Sequence, residues 1–515
     1  MSGAREIELK LECDGPDLTA LSAHPLLQAE AETEPLLLSA TYFDTPARDL
    51  RAAGLSLRVR REGERILQTV KGASASTGLF DRPEWEREIA GNAPDPAAYA
   101  DTPVAAVLAK ADDATLAPLF VTAIERTART VPYGAATIAM TLDLGRIESE
   151  LGDAPVCELE LELKQGQPAD LFALAQALAE TVPLRLGVLS KGERGDALIG
   201  ERLHKPSKAG TTPLDPEGTA GEAFVQIAHG CLRHLRLNED VFLFNRDPEA
   251  LHQIRVAVRR LRSAFTLFKP MLKEDAAAER LRGEIKRVTA PFGEARNLDV
   301  FLSETLPAEI ERRPDEPGLP ELREKLLPKR AASYDAVLAV LGSPEWRALL
   351  IDLVTWLEAG TWRKAEGLPE RDRPAVDFAA DVLQRLRRRV RKRGKHLADL
   401  EPEARHRLRI EAKKLRYGAE FFAPLFSDKK ARRRHKAFVV ALSDMQDQLG
   451  ALNDLATAHA IARMLTPQEP GAETPGPALF AAGLTAADNE AHAGDLIEKA
   501  ETGFDALVDV KPFWS

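Results

Sequence analysis

The chain has 515 residues, of which 44% are hydrophobic and 29% charged, a composition that excludes a disordered or fibrous protein. This length exceeds one ordinary domain and predicts about three units of roughly 150 residues each. The formal net charge is −10, but residues 1–200 hold 19 Lys+Arg against 32 Asp+Glu, whereas the remainder holds 51 against 48. The acidic first part and the more basic second part therefore predict different ligands.

Cysteine usage and hydropathy indicate the compartment. Cys13, Cys157 and Cys231 are far apart in the sequence and form no Cys-x-x-Cys pair, which argues against a disulfide framework or a zinc site. They fit a reducing compartment. Residues 1–10 lack the apolar core of a signal peptide, and no apolar run reaches the roughly 18 residues of a membrane span. We therefore expect a cytoplasmic protein with no membrane partner.

Residues 1–200 alternate between apolar and charged positions in the manner of half-buried strands. Helical patterns at 103–110 and 170–180 interrupt this β-rich part. Several strands joined by short turns predict a barrel or a sandwich. The predicted strands cover residues 5–12, 54–61, 65–71, 83–89, 137–143 and 156–164.

A segment rich in Pro, Gly, Ser and Thr at residues 204–219 predicts a linker. It separates a first domain at 1–203 from a second domain at 220–512. The second domain has helical periodicity throughout, with breaks at 314–320 and 467–477.

The helical part contains an internal repeat. The stretch from His252 to Arg262 aligns without a gap with the stretch from His406 to Arg416. A second similarity follows each copy, because Phe292-Gly-Glu-Ala-Arg-Asn-Leu-Asp is matched by Leu449-Gly-Ala-Leu-Asn-Asp. The repeat predicts two copies of one helical unit, each with a basic helix and a Gly-Asn-Asp turn.

Charged residues occupy alternate positions on the first and last predicted strands, and so share one face of each strand. They are Glu6, Glu8 and Lys10 on the first strand and Glu158, Glu160 and Glu162 on the last. One explanation is a sheet with a solvated charged face. The other is a metal site, because five carboxylates repel each other unless a cation lies between them. Mg²⁺ prefers a few carboxylates together with substrate phosphates, and basic residues on other strands would hold those phosphates.

The motifs, taken in order, resemble the CYTH superfamily of triphosphate tunnel metalloenzymes over residues 5–196. They are Glu6-x-Glu8-x-Lys10, Tyr42-Phe-Asp44, Arg58-Val-Arg60, Gln68-Thr-Val-Lys71, Arg82-x-Glu84-Trp-Glu86, Arg126-Thr127, Leu142-Asp143, Glu158-x-Glu160-x-Glu162 and Ser190-Lys191. The resemblance is to the inorganic triphosphatases in particular. It implies an eight-stranded antiparallel barrel around a polar tunnel, with charged side chains pointing inward.

The same resemblance implies metal-dependent hydrolysis of inorganic triphosphate, with Mg²⁺ or Mn²⁺ as cofactor. The expected metal ligands are Glu6, Glu8, Glu158, Glu160 and Glu162. The expected catalytic residues are Glu6, Glu8, Lys10, Glu158 and Glu160. The expected substrate-binding residues are Lys10, Arg58, Arg60, Lys71, Arg82, Arg126 and Lys191. An adenylate cyclase, a thiamine triphosphatase and a non-catalytic scaffold remain alternatives. Glu84, Glu86 and Asp143 are further candidate members of the site, and their roles stay open.

The two basic helices carry their cations in a row beside the core-facing apolar row, unlike a solvated face. Such cations either pair with acidic residues such as Asp299, or bind a ligand with regularly spaced negative charges. Aromatic residues make up only 6% of the chain and are scarce in these rows, so nucleic acid is not an expected partner.

The repeated basic stretch resembles the CHAD domain over residues 218–510. The resemblance implies an all-α domain of two pseudo-symmetric helical bundles that binds polyphosphate. The expected polyphosphate-binding residues are His252, Arg255, Arg259, Arg260, Arg262, Arg296, His406, Arg409, Lys413, Lys414 and Arg416. The chain as a whole is then expected to be an α+β protein associated with polyphosphate granules, and its oligomeric state stays open.

Overall fold

The structure is a computed structural model of the chain, and it describes residues 4–27, 35–72, 76–465, 476–491 and 493–515. Only the backbone is described for 4–6, 452–465, 486, 488–491 and 493. The chain forms two compact units, described separately below. The first contains residues 1–207, 232–245 and 342–363, and the second contains residues 208–231, 246–341 and 364–515. The boundaries at 1–203, 204–219 and 220–512 stay predictions.

Nine described strands of the first unit form one antiparallel sheet that closes on itself. They are β1 (Ala4–Glu12), β2 (Leu36–Asp44), β3 (Leu55–Glu62), β4 (Arg65–Gly72), β5 (Leu79–Glu88), β6 (Ala117–Tyr133), β7 (Ala136–Ser149), β8 (Gly152–Gln165) and β9 (Arg185–Leu186). The order is β5-β4-β3-β2-β6-β7-β8-β1, and β1 also pairs with β5. Eight strands therefore close a barrel, which confirms the predicted architecture, and the short β9 pairs with the end of β1.

Helices cover the apolar outside of the barrel. The described helices of residues 1–207 are α1 (Gly15–Ser22), α2 (Asp49–Ala52), α3 (Pro96–Tyr99), α4 (Pro103–Leu108), α5 (Pro168–Ala179) and α6 (Lys191–Ile199). Helix α5 packs against β1 and β8, where Leu9 and Leu161 are fully buried. Because side chains alternate along a strand, the charged residues of β1 and β8 then point into the barrel.

The second unit is helical, as predicted. The remaining described helices of the chain are α7 (Ala220–Asn245), α8 (Pro248–Leu267), α9 (Lys269–Leu272), α10 (Ala276–Val288), α11 (Pro291–Val300), α12 (Leu306–Arg312), α13 (Gly318–Leu341), α14 (Pro344–Ala359), α15 (Pro369–Asp372), α16 (Ala375–Arg393), α17 (Pro402–Phe422), α18 (Lys429–Leu465), α19 (Gly476–Ala491) and α20 (Ala493–Asp509). The second half of α7 and all of α14 belong to the first unit. The predicted break at 467–477 lies almost wholly outside the described residues. Within the described ranges, no helix is long and apolar enough to cross a membrane.

Candidate functional site

The inward faces of four neighbouring strands carry charged residues in registered rows. Arg126 of β6 lies opposite Asp143 of β7, which lies opposite Glu158 of β8. In the next row Glu160 of β8 lies opposite Lys10 of β1. Since opposed residues on antiparallel strands have neighbouring side chains, the barrel gathers acids and bases from four strands at one point.

The carboxylates of Asp143, Glu158 and Glu160 form a cluster, which we call the acidic cluster, with oxygen atoms within 4.8 Å of one another. Lys10 Nζ lies 2.7 Å from both Glu158 Oε1 and Glu160 Oε1. Lys191, at the start of α6, has its Nζ 2.6 Å from Asp143 Oδ2 and 3.0 Å from Glu160 Oε1, and it also contacts Glu158. Two buried ammonium groups therefore lie among three carboxylates.

A guanidinium group completes the charge balance. Arg126 Nε and Nη2 donate to the two oxygens of Asp143 at 2.7 and 2.5 Å, and Nη2 lies 3.0 Å from Glu160 Oε2. This forked geometry is the one in which arginine binds carboxylates most strongly. Three cations thus match three carboxylates, which is the condition for keeping so much charge in a buried site.

The pKa values show that attraction between opposite charges outweighs burial. Burial lowers the pKa of Lys191, but the neighbouring carboxylates, Asp143 first among them, raise it well above its ordinary value. Burial raises the pKa of Glu160, but Lys10, Lys191 and Arg126 together lower it well below its ordinary value. The same balance raises the pKa of Lys10 and lowers that of Asp143. These four groups are therefore charged at neutral pH.

A cavity of about 470 Å³ inside the barrel, which we call the tunnel, adjoins this cluster. Five carboxylates and eight cations line it. The carboxylates are Glu8, Glu84, Glu86, Glu160 and Glu162, and the cations are Lys10, Arg58, Arg60, Lys71, Arg82, Arg126, Lys164 and Lys191. The excess of cations favours an anionic ligand, since a cleft lined by one sign of charge concentrates the opposite sign.

Arg58 of β3 is the tunnel cation most available to a ligand. No carboxylate of the described residues lies within 4.0 Å of it, whereas Lys71 pairs with Glu84 at 3.2 Å and Arg60 with Glu86 at 3.3 Å. Burial lowers the pKa of Arg58, but Tyr42 and then Glu84 raise it overall. Arg58 therefore stays charged and has donors to offer to phosphate oxygens.

Ten of the predicted tunnel residues line the tunnel, namely Glu8, Lys10, Arg58, Arg60, Lys71, Arg82, Arg126, Glu160, Glu162 and Lys191. Glu158 is 1% exposed and lies in the acidic cluster behind the wall. The backbone of Glu6 pairs with Arg82 on β5, and its side chain lies outside the described part. Glu162 pairs with Lys164 at 2.6 Å. The roles of all these residues stay predictions.

Sequence reasoning left the role of Asp143 open, and the structure places it in the acidic cluster, fully buried. Thr141 and Asp143 are two residues apart, and Thr141 Oγ1 lies 3.3 Å from Glu160 Oε2. The sequence did contain a signal for this position. Residues two apart on a strand share a face, so Thr141 and Asp143 both lie on the inward face of β7.

The donor chemistry of the acidic cluster fits a divalent cation. All its ligand atoms are carboxylate oxygens, which Mg²⁺ and Mn²⁺ prefer over nitrogen or sulfur. Two ammonium groups already contact these oxygens, so a cation at this point would compete with Lys10 and Lys191. Glu8 and Glu162 line the same tunnel and add two further carboxylates beyond the cluster.

In the second unit, the sequence repeat corresponds to a structural repeat. Arg255 of α8 donates to the carbonyl oxygen of Phe292 at 2.6 Å, and its guanidinium lies 3.5 Å from the position of a Cβ at Gly293 of α11. In the second copy, the guanidinium of Arg409 on α17 lies 3.6 Å from the corresponding position at Gly450 of α18. Each glycine thus lies beside the equivalent arginine in its copy of the repeat.

The basic rows of the two copies approach each other, because α8 packs against α17. We call Arg255, Arg259, Arg409 and Lys413 the basic patch. Burial, followed by the charges of Arg409 and Arg259 and other nearby arginines, lowers the pKa of Lys413 to about 7. Burial and neighbouring cations likewise lower the pKa of Arg255 to about 10. Within the described residues no carboxylate lies within 4.0 Å of Arg255, Arg259 or Lys413.

Other predicted polyphosphate residues have partners within the fold. Arg260 is 8% exposed, contacts Glu420 and lies 4.6 Å above the ring of Phe421. The further pairs are Lys414 with Glu411 at 2.9 Å, Arg416 with Glu420 at 3.5 Å, and Arg296 with Glu304 at 3.8 Å. His252 and Arg262 are half-buried and His406 is exposed. Polyphosphate contacts by any of them stay predictions.

Asp299, the acidic partner considered for the basic rows, accepts hydrogen bonds from Arg330 at 2.6 Å and Tyr334 at 2.8 Å. It is 3% exposed. Burial and neighbouring arginines lower the pKa of Arg255 more than Asp299 raises it, so the basic patch remains an accumulation of like charge.

Fold and site define a protein with a charged β tunnel in one unit and a basic helical second unit. The CYTH domain family matches residues 4–195, and the CHAD domain family matches residues 226–463. The chain belongs to the CHAD family, and the residues ahead of this domain match the CYTH domain family.

Parts of the chain are similar to known proteins, among them the following three. The CHAD domain of the plant Ricinus communis is 32% identical, covers 59% of this chain and 98% of its own, and has a TM-score of 0.51. An inorganic triphosphatase of Haemophilus influenzae is 29% identical over 204 residues, which are 38% of this chain and 56% of that protein, so the match spans about half of the relative's length. A Hippeastrum protein, assigned as an adenylyl cyclase with a dominant triphosphatase activity, is 20% identical over 37% of this chain and 95% of its own, with a TM-score of 0.28.

Proposed function

We propose that the tunnel hydrolyses inorganic triphosphate in the presence of a divalent cation. The observation that carries this proposal is the tunnel lining, in which eight cations surround the ligand space and a buried acidic cluster adjoins it. A site for anion binding alone would gain nothing from three buried carboxylates, because each repels the ligand. The similarity of 204 residues of the chain to an inorganic triphosphatase supports the same substrate.

The chain's own residues divide into two groups in this proposal. Arg58 and Arg60 of β3, Lys71 of β4 and Arg126 of β6 bind the phosphate oxygens and fix the orientation of the chain of phosphates. Asp143, Glu158 and Glu160, with Glu6, Glu8 and Glu162, are the residues that would hold Mg²⁺ or Mn²⁺. When bound, the ion supplies neutralisation of phosphate charge and polarisation of water.

Lys10 and Lys191 connect the two groups. Both contact the acidic cluster and both line the tunnel, so each ammonium can pair either with the carboxylates or with a phosphate. A ligand with three phosphates brings enough negative charge to draw these ammonium groups away from the cluster. Substrate and metal ion would then bind cooperatively, because the substrate releases the carboxylates that the ion requires.

Phosphate release from inorganic triphosphate is expected to require added Mg²⁺ or Mn²⁺ and to stop when the ion is chelated. The test uses the full-length chain, because residues 232–245 belong to the first unit. Arg236 in that segment is fully buried and contacts Glu12 at 3.6 Å and Glu239 at 2.9 Å. Turnover that persists after chelation would contradict the proposal.

Parallel reactions with ATP and thiamine triphosphate separate the alternative enzymes. Formation of cyclic AMP would indicate an adenylate cyclase, and preferential release of phosphate from thiamine triphosphate would indicate that substrate. Triphosphate binding without turnover of any of the three would indicate a non-catalytic scaffold.

We further propose that the helical second unit binds polyphosphate through the basic patch. The supporting observation is the crowding of Lys413 with Arg255, Arg259 and Arg409, since burial together with their charges lowers the pKa of Lys413 to about 7. The cations of the basic patch repel each other when no ligand is bound. A ligand with closely spaced negative charges removes this repulsion.

Polyphosphate affinity is expected to weaken as the pH is raised from about 6 to about 8.5. In the free protein Lys413 loses its proton near pH 7, whereas a bound polyanion raises that pKa, so binding takes up a proton above pH 7. The dissociation constant should rise by up to about tenfold per pH unit in this window. The measurement is calorimetric titration at several pH values, and Lys413→Met should remove this dependence. An unchanged pH profile in that variant would assign the dependence to another group.

A further inference from the structure

Two of the three cysteines, separated by 144 positions, lie opposite each other in the barrel wall. Cys13 follows the last residue of β1, and Cys157 lies on β8 next to Glu158. The pairing of Leu11 with Leu159 and of Glu12 with Glu158 continues to this position, where Cys13 N–H donates to the carbonyl oxygen of Cys157 at 3.3 Å. The two Sγ atoms are 3.5 Å apart.

This arrangement meets the geometric requirements of a disulfide. Directly opposed, hydrogen-bonded residues of antiparallel strands have Cα atoms about 5.5 Å apart, within the roughly 4.4–6.8 Å span of disulfides. A bond of about 2.05 Å would require the sulfur atoms to approach each other by only about 1.5 Å. Side-chain rotation and a small strand displacement can supply that approach.

The cysteine pair is accessible from a cavity. Cys13 and Cys157 both line a space of about 1080 Å³ in the first unit, large enough to admit a small oxidant. Cys13 is 5% exposed and Cys157 is half-buried. Cys231, the third cysteine, is 2% exposed and belongs to the second unit. The site is thus specific to one pair of thiols.

The pair is directly linked to the acidic cluster along both strands. Glu158, the residue after Cys157, accepts from Lys10 Nζ at 2.7 Å. Glu12, the residue before Cys13, accepts from Arg194 Nη2 at 2.6 Å. A displacement of the two strands toward each other at Cys13 and Cys157 therefore moves the carboxylate row in which Lys10 and Glu158 are paired.

We propose that Cys13 and Cys157 are an oxidation site whose reversible disulfide distorts the acidic cluster and weakens triphosphate binding and turnover in the tunnel. The part concerning turnover rests on the proposed function. In a reducing compartment the two thiols stay free, and a rise in oxidant concentration converts them to a disulfide. Disulfides in such compartments are usually transient and sense the redox state.

The chemistry balances with hydrogen peroxide as the oxidant. The more exposed thiol, Cys157, loses its proton and attacks one peroxide oxygen, so the O–O bond breaks and a sulfenic acid and water form. The Cys13 thiol then attacks the Cys157 sulfur, so the S–S bond forms, the S–O bond breaks, and the proton of Cys13 joins the departing hydroxide as a second water. Two thiols are oxidised by two electrons and one peroxide is reduced to two waters. A small dithiol reverses the reaction.

The test treats the full-length protein with hydrogen peroxide and analyses it under non-reducing conditions. Peptide mass spectrometry is expected to show the loss of two hydrogen atoms in a cross-linked peptide containing Cys13 and Cys157. Calorimetric binding of inorganic triphosphate and phosphate release are each expected to weaken by about tenfold or more, and dithiothreitol should restore both. Cys231→Ser should behave like the parent protein.

Cys13→Ser and Cys157→Ser are the matched variants, and both are expected to keep their triphosphate affinity after peroxide treatment. Absence of the cross-link would overturn the proposal, as would a cross-link that leaves triphosphate affinity unchanged. If the reduced protein binds triphosphate but releases no phosphate, the proposed hydrolysis fails while the binding measurement still decides the redox proposal. If the reduced protein does not bind triphosphate at all, the link from this disulfide to the tunnel is overturned as well.

Discussion

Replacing Glu160 by glutamine is expected to lower the turnover of inorganic triphosphate by about 10³-fold, in the range found when an electrostatic catalytic group is removed. Glu160 contacts Lys10, Lys191 and Arg126 and lines the tunnel, so it belongs both to the acidic cluster and to the ligand wall. The neutral amide keeps the size of the side chain but removes the charge that a divalent cation needs.

The same substitution is expected to destabilise the fold. Three cations would face two carboxylates, and an uncompensated buried charge costs about 3 kcal/mol. Turnover must therefore be measured on protein whose circular dichroism shows that it is folded. Glu148→Gln provides a matched control, because Glu148 pairs with Arg146 on the exposed surface of the same unit at 2.5 Å. Wild-type turnover in folded Glu160→Gln, or equal losses in both variants, would exclude Glu160 from the chemistry.

The barrel and most of its lining could be predicted because a strand has a period of two. Glu8 and Lys10 alternate with leucines, and those leucines are fully buried, so the pattern identifies the inward charged face without knowledge of the neighbouring strands. The predicted strands at 5–12 and 65–71 agree with β1 and β4 to within one residue at each end. Local alternation was sufficient for these elements.

Relations between strands could not be read from the sequence. β2 and the long β6 were not predicted, since β6 mixes charged, small and apolar residues without a strict alternation. The contact between Cys13 and Cys157 depends on the register of β1 against β8, and register is set by the closed barrel as a whole. Cys13 and Cys157 are free thiols, and spacing along the chain, which was all that the sequence offered, does not show that they approach each other.

The helical unit shows the same limit. The repeat and its glycines were visible in the sequence, and the structure gives Gly293 and Gly450 the same contact with Arg255 and Arg409. Sequence alone did not distinguish the neighbours Arg259 and Arg260. Although the two are consecutive residues of α8, Arg260 is buried and contacts Glu420, whereas no carboxylate of the described residues lies within 4.0 Å of Arg259. The packing of α8 against α17 gives the two arginines these different surroundings.

Replacing Arg255 and Arg409 together by alanine is expected to weaken polyphosphate binding by about tenfold per arginine, which is about 1.4 kcal/mol for each. A phosphate contact also releases a counterion, so the slope of log affinity against log salt concentration should become shallower by about one for each arginine removed. A purely structural role of the two arginines would lower stability and affinity without this change in slope.

The experiment titrates polyphosphate at several salt concentrations into the parent protein and into both the single and the double variants. Arg246→Ala is the control, because Arg246 is an exposed cation of the same unit that pairs with Asp335 at 3.1 Å. It should change neither the affinity nor the slope appreciably, since an exposed ion pair contributes little. If the double variant keeps the parent slope, the ligand lies elsewhere on the helical unit. If Arg246→Ala changes the slope as much as the removal of Arg255 or Arg409 does, polyphosphate affinity depends only on the net charge of the protein. The basic patch, where the two repeats meet, would then have no specific role in binding the chain of phosphates.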